Sequence, residues 1–82
     1  MMYKEKEIPK KQLSKFVKIL DLDEGIRIEN RSNVIFLNRL SKRYCIDICK
    51  GRKDTFIYKT SEKQVIDFLK DKMDKTCKIF SY

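Results

Sequence analysis

The stretch 25-GIRIENRSNVIFLNRLSKRYCIDICKGRKDTFIYKT-60 decides the fold. Ile26 and Ile28 alternate with Arg27 and Glu29, and Tyr44, Ile46 and Ile48 alternate with Cys45, Asp47 and Cys49. Successive side chains of a strand point to opposite faces, so this period of two marks half-buried strands. "VIFLNRL" is more continuously apolar, as a central strand is, and "TFIYKT" returns the chain. Between these runs, "NRSN" (30–33), residues 38–43 and "KGRKD" (50–54) supply the turns. The reading is an antiparallel β meander of three to four strands.

A helix is expected on either side of the meander. The first begins at Pro9, whose missing N–H suits the first helical position. Leu13, Phe16, Val17 and Leu20 follow the spacing of one buried stripe, with Lys11, Lys15 and Lys18 on the opposite side. Gly25 is the expected cap at its far end, although the acids of "DLDEG" sit badly at a helix C-terminus. The second helix opens on Ser61 and Gln64, a capping box, and buries Val65, Ile66, Phe68, Leu69 and Met73. The tail "CKIFSY" extends that helix or adds a short edge strand, with Ile79 and Phe80 packed. The fold class is therefore α+β, in the order α-β-β-β-β-α. Residues 1–8 are expected to be a flexible N-terminus and 9–82 a single small domain.

Length limits the core. A chain of 82 residues buries only about 60–65% of its unfolded surface. No apolar run reaches the roughly 18–20 residues of a membrane span, and the N-terminal residues lack the apolar core of a secretory signal. A cytoplasmic location is the expectation. Cys45 and Cys49, four apart in a strand, have Cα atoms about 13 Å apart and cannot be bridged within it. An odd count of three cysteines leaves a free thiol whatever Cys77 does. Alanine, tryptophan and histidine are absent while lysine and isoleucine abound, the usage of an A/T-rich coding sequence.

The sequence shows little catalytic chemistry. Without histidine or a CxxC pair, a zinc site lacks ligands. "DLDE" begins like a calcium loop but has none of the later ligands. With Gly25 and Gly51 the only glycines, no phosphate-cradling glycine loop exists. No catalytic residue, metal or cofactor is expected, and neither a small-molecule substrate nor a membrane is an expected partner.

Charge is the strongest functional signal. The formal net charge is +8, and such an excess attracts polyanions. In a meander alternate turns share an end, so Arg31 falls beside Lys50, Arg52 and Lys53, while Arg39, Lys42 and Arg43 gather at the other end with Lys59 and Lys63. Strands of about six residues set these two clusters ~20 Å apart. Lys11, Lys15 and Lys18 form a third basic group. Tyr44, Phe56 and Tyr58 are candidates for base stacking wherever their face of the sheet is open.

The element order is similar to that of double-stranded-RNA-binding domains, α-β-β-β-α. The stretch matching their lysine-rich second-helix start is "TSEKQ", with Lys63 alone basic and Glu62 opposing it, so the sequence departs from that family at its functional motif. In size, composition and lack of catalytic residues the chain also looks like small accessory proteins of phages and mobile elements, anti-CRISPR inhibitors among them. Two functions are thus expected: a non-enzymatic protein gripping nucleic acid or a nucleoprotein complex through basic hairpin tips, or an inhibitor binding a host protein through an acidic surface on that partner.

Overall fold

The computed structural model describes residues 5–82. Its elements run β1 (Lys6–Ile8), a 3-10 turn (Lys10–Gln12), α1 (Leu13–Lys18), β2 (Gly25–Glu29), β3 (Val34–Arg39), β4 (Tyr44–Lys50), β5 (Lys53–Lys59), α2 (Glu62–Lys72) and β6 (Lys78–Ser81). All six strands form one antiparallel sheet in the order β1-β6-β2-β3-β4-β5. No helix among the described residues is long and apolar enough to cross a membrane.

The meander β2–β5 forms as its alternation requires. Ile26, Ile28, Ile35, Leu37, Tyr44 and Ile46 all point to one face and are buried there beneath the helices. Each such side chain contributes about 1.5–3 kcal/mol by leaving water. The loop after β3 is shorter than the expected 38–43, because Asn38 and Arg39 still pair with Cys45 and Tyr44.

Three features correct the sequence reading. Instead of four strands at most, the described residues form six. The tail is neither helix nor edge: β6 pairs with β2 on one side and β1 on the other, so it lies inside the sheet. And the segment expected to be flexible, 1–8, contributes β1, with Ile8 buried; residues 1–4 lie outside the described residues. A single physical cause links the last two. Ile79 and Ile28 stand opposite each other in the register, and Ile8 stands opposite Ile79, so one row of isoleucines extends the core across three strands that are far apart in sequence.

The helices also differ in detail. Pro9 caps a 3-10 turn, and the α-helical part is only Leu13–Lys18. Leu13, Val17 and Leu20 are buried and Phe16 half-buried, as the stripe requires. Gly25 is not a helix cap. It opens β2 with ordinary extended geometry, and a Cβ there would collide with the Tyr82 ring. The acids misplaced for a helix end serve the connecting turn instead: Asp21 and Glu24 accept the Leu22 and Asp21 N–H groups at 2.8 and 2.9 Å. At α2, Ser61 Oγ accepts the Gln64 N–H at 3.2 Å. The Gln64 side chain reaches back one residue further than a capping box requires, accepting the Thr60 N–H at 3.2 Å.

Candidate nucleic-acid interface

Both helices lie on one side of the sheet, which leaves the other side open. The register lines up Glu7, Phe80, Arg27, Phe36, Asp47 and Phe56 as one row across all six strands of that open face. Asn38, Cys45 and Tyr58 form part of a second row, which Tyr82 joins through the Asn38 amide at 3.4 Å from its hydroxyl. Five of the nine aromatic residues therefore face away from the helices. Tyr44 does not: its even register places it in the core, 6% exposed. Phe56 and Tyr58, at 57% and 49%, are the aromatics left most open to water among the described residues.

The open face has two electrostatically different halves. Toward β1, β6 and β2, Arg27 is stacked 4.7 Å from the Phe80 centroid and is neutralised by Glu5 at 2.8 Å and Glu29 at 3.2 Å. A groove of about 410 Å³ there is lined by Glu5, Asp23, Arg27, Phe36 and Tyr82. This half is aromatic and acidic. Toward β5 the carboxylates are Asp47 and Asp54, and cations stand at both ends of the strand.

At one end lies the β4–β5 turn. Lys50 pairs with Lys53, so Gly51 and Arg52 alone make the turn, and Gly51 has φ +61 while no other described residue has positive φ. A glycine in that conformation at the first turn position matches the right-handed twist of the flanking strands. The turn thus presents Lys50, Arg52 and Lys53, all exposed. Arg31 also lies at this end and is exposed, but its turn is tied to the end of α2: its N–H donates to Asp74 Oδ2 at 2.7 Å, and Asn30 Nδ2 donates to the Lys72 carbonyl at 3.0 Å.

At the other end, a cleft of about 520 Å³ opens between the β3–β4 loop and the start of α2. Lys42, Arg43 and Lys63 supply its cations, Ser41, Thr60 and Ser61 its hydroxyls, and Glu62 its one carboxylate among the described residues. Arg43 stands 4.3 Å from the Tyr58 centroid, linking the cleft to the open aromatic face. Arg39 lines the same cleft, yet its guanidinium is engaged in the fold: Nη1 donates to the Leu20 carbonyl at 2.8 Å. Lys59 points to the helical side, 5.4 Å from the Phe68 centroid.

Sequence reasoning thus placed Arg31, Lys50, Arg52 and Lys53 at one end and Arg39, Lys42 and Arg43 at the other, and the topology agrees. Lys11, Lys15 and Lys18 are exposed but belong to the helical layer, and the structure does not bring them to the open face. What the sequence missed is Arg43 against Tyr58, a contact between the end of the β3–β4 loop and the edge strand β5 that only the tertiary arrangement creates.

One titratable cluster lies on this face near the turn. Asp47, Cys49 and Asp54 bring ligand atoms within 4.8 Å of one another. A hydrogen bond to Asp54, burial, and the negative charge of Asp47 push the Cys49 thiol up to about 12. A neutral thiol is the opposite of an activated nucleophile or a ready metal ligand. Cys45, Cys49 and Cys77 are all free thiols.

The fold and this surface define an α+β protein with a six-stranded antiparallel sheet covered by helices on one side only. No protein-family model, curated protein or solved structure matches the chain.

Proposed function

We propose that this chain is a small, basic, non-enzymatic binding protein that engages nucleic acid through the cationic clusters at the two ends of its β4–β5 hairpin. The observation that carries the reading is their placement. Lys50, Arg52 and Lys53 at one end, and Lys42, Arg43 and Lys63 at the other, bracket one strand of seven residues. Neither cluster has a carboxylate within salt-bridge distance among the described residues. Unpaired cations on exposed turns bind phosphate by releasing its counterions, a gain that falls steeply with salt.

Fluorescence anisotropy with short DNA and RNA at about 50 and 200 mM salt tests it. Binding should weaken with a log–log slope of several units. Arg52→Glu with Lys53→Glu should weaken binding and flatten that slope by about two. Absence of binding at the lower salt sinks the reading.

A second reading has its own support. The Glu5, Asp23, Phe36 and Tyr82 groove is acidic and aromatic, a surface suited to a protein rather than to phosphate. It favours an inhibitor of phage or mobile-element type, acting inside a cell by binding a host protein. A stoichiometric protein partner that survives nuclease treatment and is lost with Phe36→Ala would favour it over the first.

A further inference from the structure

We infer that the nucleic acid is single-stranded and lies along the open side of β5, its bases on Phe56 and Tyr58 and its phosphates held by the cationic clusters at either end. This rests on the nucleic-acid reading and names the ligand of that same surface.

Four observations converge. First, Phe56 and Tyr58 point to the helix-free side of an edge strand and are 57% and 49% exposed, an unusual state for large aromatics. Second, the opposite side of that strand is anchored, since Ile57 packs against the core and Lys59 lies over Phe68, so the two rings stand on a fixed platform. Third, the platform runs the full seven residues from the Lys50–Lys53 turn to the Arg43 cleft, about 23 Å of strand. Fourth, Arg43 already lies against Tyr58 at 4.3 Å, a cation and a ring presented together, and planar guanidinium and aromatic faces are what unstacked bases stack upon.

The same geometry disfavours a duplex. Bases inside a helix keep their π faces covered by their neighbours, so Phe56 and Tyr58 would find nothing to stack on without flipping. Asp47 sits on β4 opposite Phe56, and Asp54 stands on β5 itself, two residues before Phe56 on the same face, so both repel phosphate from the middle of the face near the turn. The strand's backbone therefore follows the outer rim of β5, and its bases turn inward over the rings. Beyond β4 the face becomes acidic, with Glu5, Glu7 and Glu29, which confines the ligand to the β5 half.

The test compares labelled oligonucleotides of roughly twelve residues, single-stranded DNA and RNA against a duplex of the same sequence. Binding is measured for the wild type, Phe56→Leu, Tyr58→Leu, the double Leu variant, and Arg52→Glu with Lys53→Glu. Leucine keeps an apolar side chain and removes the ring, and thermal melts confirm that each variant folds. The expected result is preference for single strands, a loss of roughly tenfold for each ring with the salt slope unchanged, and quenching of tyrosine emission on binding that is reduced in Tyr58→Leu. Equal binding of duplex and single strand, or ring variants that bind as tightly as wild type, overturns the track while leaving the nucleic-acid reading in place. No binding of any oligonucleotide removes both.

Discussion

Gly51 shows how one residue serves both fold and site. Its φ of +61 closes a two-residue turn and lets Arg52 and Lys53 stand out from the sheet. Nothing lies within 4 Å of where a Cβ would be, so the whole cost of Gly51→Ala is conformational. A side chain in the left-handed region costs about 1–2 kcal/mol, and a melt of the variant should show that loss without a change in cooperativity. Cys49 offers a second residue-scale prediction. A thiol pushed up to about 12 is almost wholly protonated at pH 8, and only the thiolate alkylates quickly. Peptide mapping after brief iodoacetamide treatment should find Cys49 modified far more slowly in the folded than in the unfolded protein. Asp54→Asn should speed its modification, since Asp54 is the largest cause of the shift; an unchanged rate would contradict that cause.

At the scale of elements, α2 is fixed at both ends by side chains. Ser61 caps its start, and the loss of such a cap costs about 1 kcal/mol. Beyond its end, Asp74 accepts the Arg31 N–H and both the N–H and the hydroxyl of Thr76, while Asn30 Oδ1 accepts the Asp74 N–H at 3.2 Å. These bonds, the Arg31 N–H foremost, hold the Asp74 carboxyl below its usual value of 3.8. Because the folded value is the lower one, the stabilisation is present at neutral pH and is lost as pH falls through it. Asp74→Asn should therefore lower the melting temperature at pH 7, and the gap from wild type should shrink below pH 4. A gap independent of pH would mean that the carboxylate charge is irrelevant to this clamp. The box residues Ser61 and Gln64 were legible in sequence; the clamp was not, because Asn30 and Asp74 meet only when the first turn of the meander reaches the end of the second helix.

At the scale of the whole molecule, the order of strands decides which parts are dispensable. Among the described residues, β6 supplies the only partner of β1 and one of the two partners of β2. Removing residues 77–82 would orphan β1, expose one side of β2, and delete the buried Cys77 and Ile79. Circular dichroism should then show no cooperative melt. Among the described residues, removing residues 1–8 takes an edge strand, the Glu5 partner of Arg27 and one buried side chain, Ile8. That variant should still melt cooperatively, at a lower temperature, because a large apolar side chain lost from a core costs about 2–5 kcal/mol. If both truncations behave alike, the inner position of β6 is wrong.

The amino-acid sequence by itself determined the α+β class, an antiparallel meander of three to four strands, the second helix with its cap, and the two ends at which Arg31, Lys50, Arg52, Lys53 and Arg39, Lys42, Arg43 collect. All of these follow from local periodicity and from the rule that alternate turns share an end, and neither needs contacts between distant segments. Only the tertiary structure decided that Lys6–Ile8 and Lys78–Ser81 complete the sheet, that Tyr44 is core while Phe56 and Tyr58 are open, and that Arg43 lies against Tyr58. A strand of three or four residues carries too little pattern to declare its partner. Which face of a sheet is covered depends on where the helices land, and that depends on the sum of long-range packing rather than on any one stretch of chain.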